Sequence, residues 1–247
     1  MTATPLLALE HVSKRFGGLR AVSDVSFAVN DGEVLFIVGP NGAGKTTLFN
    51  LITGFLPPDE GVIRFAGRPL TGTRPHIAAR LGIGRTFQIV KPLRNLTVLE
   101  NVMLGAFLHT RHVAVAAERA REVLAFLQME PVGALPANGL PLATLKRLEI
   151  ARALATRPKL ILLDEVVAGL PTSEALALAA LLQRLPEWGV SVVAGVEHVM
   201  QVVMRVAQRV IVLDRGALIA EGAPADVVRR PEVIEAYLGA KYKQVTG

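Results

Sequence analysis

The segment that most constrains this chain is Gly39-Pro40-Asn41-Gly42-Ala43-Gly44-Lys45-Thr46, which fits the pattern G-x-x-x-x-G-K-[ST]. Its surroundings fit too. An uninterrupted apolar run, 34–38, leads into it, and 47–53 continues with helical texture to Gly54, a C-cap. A buried strand, a glycine-rich turn and a helix in that order make a cradle for phosphate. The glycines let backbone N–H groups turn inward, and the helix start adds about half a positive charge. The predicted phosphate site comprises Gly39, Pro40, Asn41, Gly42, Ala43, Gly44, Lys45, Thr46 and Thr47. Lys45 can reach the β and γ phosphates of a nucleotide, and Thr46 can ligate Mg2+. A glycine-rich turn that merely contains a lysine is the plain alternative, and the flanking strand and helix argue against it.

A second element completes the chemistry. Leu160-Ile161-Leu162-Leu163 reads as a buried strand, followed at once by Asp164 and Glu165, at the strand end where open α/β sheets bind ligands. Alone, two acids after an apolar run also describe a solvated loop start. With a phosphate loop upstream, Asp164 is expected to hold Mg2+ and Glu165 to orient or deprotonate the attacking water.

The chain has 247 residues, more than one average domain, so one large domain or a core with an inserted subdomain is expected. Residues 6–11, 22–29, 34–38 and 62–65 are rich in β-formers, and Asp31-Gly32 predicts a tight antiparallel hairpin between two of these runs. After Arg85 the texture is helical: 97–108, 113–128 and 145–155, the last stopped by Pro158. Strands at 160–163, 190–196 and 210–213 then alternate with helices at 173–185, 199–207 and 225–238, the last broken at Pro231. Alternation of this kind predicts an α/β fold with a parallel sheet, an antiparallel β subdomain at the N-terminal side and a helical insertion near 91–156.

Apolar residues make up 51% of the chain and charged residues 19%, with a mean hydropathy of +0.42. No stretch reaches the ~18 apolar residues that a membrane span needs. The opening residues 1–9 lack a basic start and meet Glu10, so they do not read as a secretory signal. With no cysteine, thiol catalysis, disulfides and Cys-ligated zinc are excluded. The net charge of +6 comes from scattered basic residues without an aromatic platform, which argues for bound phosphate rather than nucleic acid.

With the phosphate loop and the Asp164-Glu165 strand at this separation, the chain resembles the ATP-binding subunits of ABC transporters along nearly its whole length. The resemblance implies a P-loop NTPase core of the RecA-like type with an N-terminal antiparallel β subdomain and an inserted α-helical subdomain. On this reading 1–247 is one ATP-binding domain, with 1–90 and 157–247 as nucleotide-binding core and 91–156 as helical subdomain. Arg85-Thr86-Phe87-Gln88 looks like the family's Q-loop, where Gln88 senses Mg2+ and the attacking water. Val196-Glu197-His198 looks like the strand end whose histidine, His198, contacts the γ-phosphate; Phe16 sits where the family stacks a ring on adenine. Residues 95–102 and the tail Gly222-Ala223-Pro224-Ala225-Asp226 look most like subunits of branched-chain amino acid importers. That resemblance implies ATP and Mg2+ as ligands and two membrane permease subunits as partners. It also implies a second, different ATP-binding subunit, a periplasmic solute-binding protein acting indirectly, and a peripheral place on the cytoplasmic face of the inner membrane.

The departures are specific. Where the family carries Leu-Ser-Gly-Gly-Gln, which contacts ATP held by the opposite subunit, this chain has Leu140-Pro141-Leu142-Ala143-Thr144. Pro141 offers neither a hydroxyl nor an N–H, and Ala143 adds a Cβ where backbone would approach phosphate. After Glu165 the family usually has proline and a loop ending Gly-Leu-Asp or Gly-Leu-Asn; here Val166-Val167-Ala168-Gly169-Leu170-Pro171 ends in proline. The expectation is an asymmetric pair: this chain supplies one intact ATP site and a poor signature to the other. Two other readings stay open at this point, an ABC ATPase acting on nucleic acid and a regulatory nucleotide-binding subunit with little turnover. His109 and His112 lack a third ligand nearby and read as a solvated helix end. Lys91 and Arg94 lie where the family docks its membrane subunits, or are simply solvated.

Overall fold

The computed structural model describes residues 4–70, 72–88, 90–196 and 200–237. The chain opens with two long strands, β1 (Leu7–Phe16) and β2 (Leu19–Val29), joined through Gly17-Gly18 so that Phe16 faces Leu19. It continues with β3 (Val34–Val38), α1 (Lys45–Ile52), β4 (Glu60–Phe65), β5 (Arg68–Pro69), α2 (Pro75–Leu81) and β6 (Ile83–Arg85). Three helices follow: α3 (Val98–Ala106), α4 (Val113–Phe126) and α5 (Leu142–Ala155). Then come β7 (Leu160–Asp164), α6 (Thr172–Gln183), β8 (Ser191–Val196), α7 (Met200–Val206), β9 (Arg209–Asp214), β10 (Ala217–Gly222) and α8 (Pro224–Val227), with a further helix over 231–237.

Two sheets organise these elements. One is antiparallel, β2-β1-β4-β5; the other runs β10-β9-β3-β8-β7-β6, with β9, β3, β8, β7 and β6 parallel and β10 antiparallel at the edge. The parallel strands are buried on both faces, and their alternation sorts two cores. Val34, Phe36, Val38, Ile161, Leu163, Val210 and Val212 pack with the helices α3 to α6. Leu35, Ile37, Leu160, Leu162, Ile211 and Leu213 face the other way, against α1 and the antiparallel sheet. Arg209 crosses between the sheets, with Nε 2.6 Å from Glu33 Oε1 and further bonds to Glu221 and to the Ala28 carbonyl on β2.

Asp31-Gly32 does not close a hairpin, contrary to the expectation from its sequence. β2 and β3 lie in different sheets, because all five residues of β3 are buried between β8 and β9 and leave no edge for β2. The turn instead crosses from one sheet to the other, with Gly32 N–H donating to Ser191 Oγ at 2.9 Å. Two-residue hairpins lie instead at Gly17-Gly18, Ala66-Gly67 and Arg215-Gly216, the last two with φ positive at each central residue. Helix α5 also begins three residues before the expected 145, with Pro141 as its N-cap.

Candidate functional site

The loop after β3 is held by neighbouring elements as well as by its own residues. Gly216 N–H donates to the Ala43 carbonyl at 3.0 Å, and Ser23 N–H donates to the Gly216 carbonyl at 2.8 Å. The β9–β10 turn thus holds the loop, and β2 in turn holds that turn. Gly44 has φ +102, and a Cβ there would lie 2.4 Å from the Ala21 carbonyl oxygen; at Gly39 it would lie 2.2 Å from that of Leu213. Both positions demand glycine. Lys45, buried in the first turn of α1, folds back so that Nζ donates to the Gly39 carbonyl at 2.6 Å and the Pro40 carbonyl at 3.0 Å. Thr46 and Thr47 follow it in the helix, Thr46 exposed. The ammonium is therefore caged by loop oxygens at the place where phosphate oxygens would compete for it.

Asp164 ends β7, one strand removed from β3 across β8, and its carboxyl is buried. Its backbone N–H donates to Thr86 Oγ1 at 3.1 Å, and Arg85 Nη2 donates to Oδ2 at 3.2 Å. Burial pulls the Arg85 guanidinium below its ordinary pKa, and Asp164 opposes that pull. Glu165 sits at φ +50, uncommon for a residue with a Cβ. Three contacts hold it there: Glu165 N–H donates to the Gly195 carbonyl at 3.0 Å, Lys146 Nζ donates to the Glu165 carbonyl at 2.9 Å, and Gln88 Nε2 donates to Glu165 Oε2 at 2.8 Å. Burial lowers the Lys146 pKa, opposed by Glu165, Glu149 and Asp164.

A groove of about 860 Å³ runs past these groups, lined among others by Thr46, Gln88 and Asp164. The three residues expected at a metal thus share one cavity. They offer a hydroxyl, an amide and a carboxylate, hard oxygen donors of the kind Mg2+ prefers. Among the described residues no group of three or more His, Asp or Glu can hold a metal alone. Arg85, a cation already seated on Asp164, shows that this carboxylate is used as a cation partner. Phe16, at the end of β1, is half exposed, with Lys14 Nζ 5.9 Å from its ring centre. Its hairpin continues to Ala21, whose carbonyl lies close to Gly44 of the phosphate loop. His198 lies outside the described residues.

Arg85, Asn50 and Lys146 are the groups that sequence reasoning did not single out. Arg85 Nη1 donates to Asn50 Oδ1 at 2.6 Å and to Thr53 Oγ1 at 3.2 Å, both on the helix side of the phosphate loop. No sequence signal marks it, because the three-residue strand that orients it carries no periodicity. The stretch 140–144 forms the uncapped start of α5: Pro141 has φ −56 and ψ 152, and no side chain bonds its first turn. Leu142 is 45% exposed and leans on Gly169. Pro171 is likewise an N-cap without a side-chain bond, on α6. His109 Nε2 lies 2.8 Å from the Thr156 carbonyl, a structural contact between the ends of α3 and α5.

Residues 22–168 match the ABC transporter family, and 217–243 match the family described as branched-chain amino acid ATP-binding cassette transporter. The "probable branched-chain amino acid transport ATP-binding protein LivG" of Archaeoglobus fulgidus is 35% identical over 97% of this chain and 98% of that protein. The "high-affinity branched-chain amino acid transport ATP-binding protein BraF" of Pseudomonas aeruginosa is 37% identical over 95% and 98%. A crystal structure of the ADP conformation of an ABC transporter's ATP-binding cassette is 34% identical, covers 96% of this chain and 100% of its own, and has a TM-score of 0.87. A nucleotide-free cassette, 33% identical over 95% and 99%, gives 0.86.

Proposed function

The chain belongs to the ABC transporter family of ATP-binding subunits, and from that premise we propose that it binds and hydrolyses ATP to drive import of branched-chain amino acids through membrane permease subunits. One observation carries the chemistry: the loop leading to Lys45-Thr46 follows the C-terminal end of β3, and Asp164-Glu165 follow that of β7, parallel strands separated only by β8, with Gln88 bonded to Glu165. On this reading the backbone of residues 39–47 and Lys45 Nζ bind the phosphates of the substrate. Phe16 stacks on adenine, and Glu165 orients the attacking water and takes its proton. Thr46, Asp164 and Gln88 are the residues that would hold Mg2+, whose role when bound is to neutralise phosphate charge. His198 would complete the γ-phosphate contacts.

The finer assembly is part of the same proposal. Residues 91–156 serve as a helical subdomain inserted in a core of 1–90 and 157–247. The partners are two permeases, a second and different ATP-binding subunit, and indirectly a periplasmic solute-binding protein, with this chain on the cytoplasmic membrane face. No helix among the described residues is long and apolar enough to cross a membrane, which supports peripheral attachment. Heteromeric pairing is supported by Pro141 and Pro171, which leave α5 and α6 without side-chain caps at the surface where the family's signature meets the opposite ATP. The test is phosphate release by the purified chain alone against the complex reconstituted with its permeases. Turnover in the complex that is stimulated by solute and indifferent to DNA supports transport; a chain that hydrolyses ATP alone as fast as the complex refutes the asymmetric pairing.

A further inference from the structure

Arg85 is placed oddly for a purely structural cation. Its side chain is 6% exposed, and the carboxylate it meets is Asp164, itself 3% exposed, at 3.2 Å. Its other bonds go to Asn50 and Thr53 around the end of α1. Above and around the guanidinium stand three rings: Phe87 at 5.2 Å, Phe55 at 5.7 Å and Phe49 at 5.9 Å from its central carbon. Phe55 and Phe87 meet edge to face at 5.8 Å, each about half exposed, and both line the groove. Its Nε is buried and has no hydrogen-bond partner among the described residues. One cation thus ties together the acid that ends β7, the helix that carries Lys45 and Thr46, and the aromatic wall of the groove. Gln88, which bonds Glu165, comes directly after Phe87.

We propose that Arg85 is a positioning residue that occupies Asp164 in place of the metal and yields it when Mg2+ arrives with nucleotide, so that metal occupancy is relayed to the wall formed by Phe55 and Phe87. The inference rests on the nucleotide-site reading above. Its physical core is competition: two cations that bind one carboxylate oppose each other, and by linkage each weakens the other by the same factor. A guanidinium that lets go of Asp164 keeps its three rings and its two acceptors, so its remaining interactions are redistributed among Phe55, Phe87 and the end of α1. A differential contact of that kind is what a ligand needs in order to shift a neighbouring surface.

Competition has a sign that structural support does not. If Arg85 only orients Asp164, removing it leaves the carboxylate misplaced and Mg2+ binds more weakly. If it competes, Mg2+ binds more tightly. The experiment titrates Mg2+ into the full-length chain at saturating fluorescent ADP, after EDTA treatment. Arg85→Gln should lower the Mg2+ concentration for half-saturation about tenfold, within the usual range of coupling between sites, while Arg85→Lys, which keeps the charge, stays within about threefold of the parent. Unchanged or weaker Mg2+ binding in Arg85→Gln overturns the proposal. Should that variant not fold, hydrogen exchange on the unmodified chain decides: adding Mg2+ to the ADP complex should alter exchange across 85–88, and identical exchange overturns it. If the unmodified chain binds no ADP at all, the nucleotide-site reading fails instead, and the two failures are told apart by that control.

Discussion

Replacing Pro141, Leu142 and Ala143 together by Ser, Gly and Gly would rebuild the signature that this chain lacks, and its cost and gain can both be worked out. In folding, Ser at the N-cap position of α5 adds a side-chain acceptor where none now exists, a gain of about 1 kcal/mol. Two glycines in the first turn cost about 1 kcal/mol each. Losing Leu142, which is 45% exposed, forfeits about half of the ~2 kcal/mol that a fully buried leucine contributes. The net is a loss of about 2 kcal/mol, or roughly 4–8 °C in Tm for a chain of this size. In catalysis, two charge-assisted hydrogen bonds to the opposing nucleotide, at ~1.5–3 kcal/mol each, amount to about a hundred- to ten-thousand-fold in rate. The assay is phosphate release by the purified chain alone, where both composite sites of any homodimer must use this segment. Adding Glu165→Gln to the triple variant should erase the gain. A folded triple variant that hydrolyses ATP no faster than the parent would refute the idea that residues 140–144 limit the second site.

Other substitutions test single parts of the site. Lys45→Ala should remove ATP binding, measured by equilibrium titration, whereas Glu165→Gln should keep binding and stop hydrolysis; parental turnover in the second variant would exclude Glu165 as the base. Gly44→Ala puts a Cβ 2.4 Å from the Ala21 carbonyl at φ +102, so it should cost more than the ~1–2 kcal/mol of left-handed strain alone and weaken nucleotide binding; a parental Tm would show that the loop gives way freely. In α3 the Thr97 N–H, then the Thr97 hydroxyl, bond the Glu100 carboxylate and hold its pKa below the ordinary value. A depressed carboxylate stabilises the fold above its unfolded pKa, near 4.3, and loses that contribution as pH falls through the folded value. The stability gap between the parent and Glu100→Gln should therefore be present at pH 7 and close in acid, as read by thermal melts across pH.

The elements legible in the sequence were those whose pattern is local. The strand expected at 34–38 and the helices expected at 113–128 and 173–185 follow from runs of apolar residues and appear at 34–38, 113–126 and 172–183; the helix expected from Thr97 is α3, whose start the fold secures with a capping box between Thr97 and Glu100. Long-range facts were not legible. Asp31-Gly32 has the composition of a hairpin, but turn chemistry sets local angles and cannot say that β3 already has two parallel neighbours. β6 and β10 were missed because a three-residue strand shows no alternation and β10 is only partly buried. Within the site, the phosphate loop and the two acids announce themselves by spacing. Arg85 and Lys146 do not, since a basic residue becomes informative only when the fold buries it beside a carboxylate.

The apolar surplus of the composition gains meaning from where the exposed part of it lies. Phe55, Phe87 and Leu104 are among the largest exposed apolar side chains, and all three line the groove that Thr46 and Asp164 also line. Scattered apolar side chains on a surface need no explanation, but clustered ones beside a polar site mark a place where something docks. Here the cluster is separated from the buried carboxylate of Asp164 by a single side chain, Arg85, which touches both. A subunit that must convert the state of a nucleotide into movement of a membrane partner needs a short path between the two, and a cation bridging acid and aromatic wall is about the shortest that side chains can make. The same groove receives Lys91 and Arg152 beside Glu149, with Arg152 Nη1 3.0 Å from the Lys91 carbonyl, so the segment after Gln88 is anchored to α5. On the proposal above, a shift at Asp164 would pass through Arg85, and Lys91 already bonds the helical layer at Arg152.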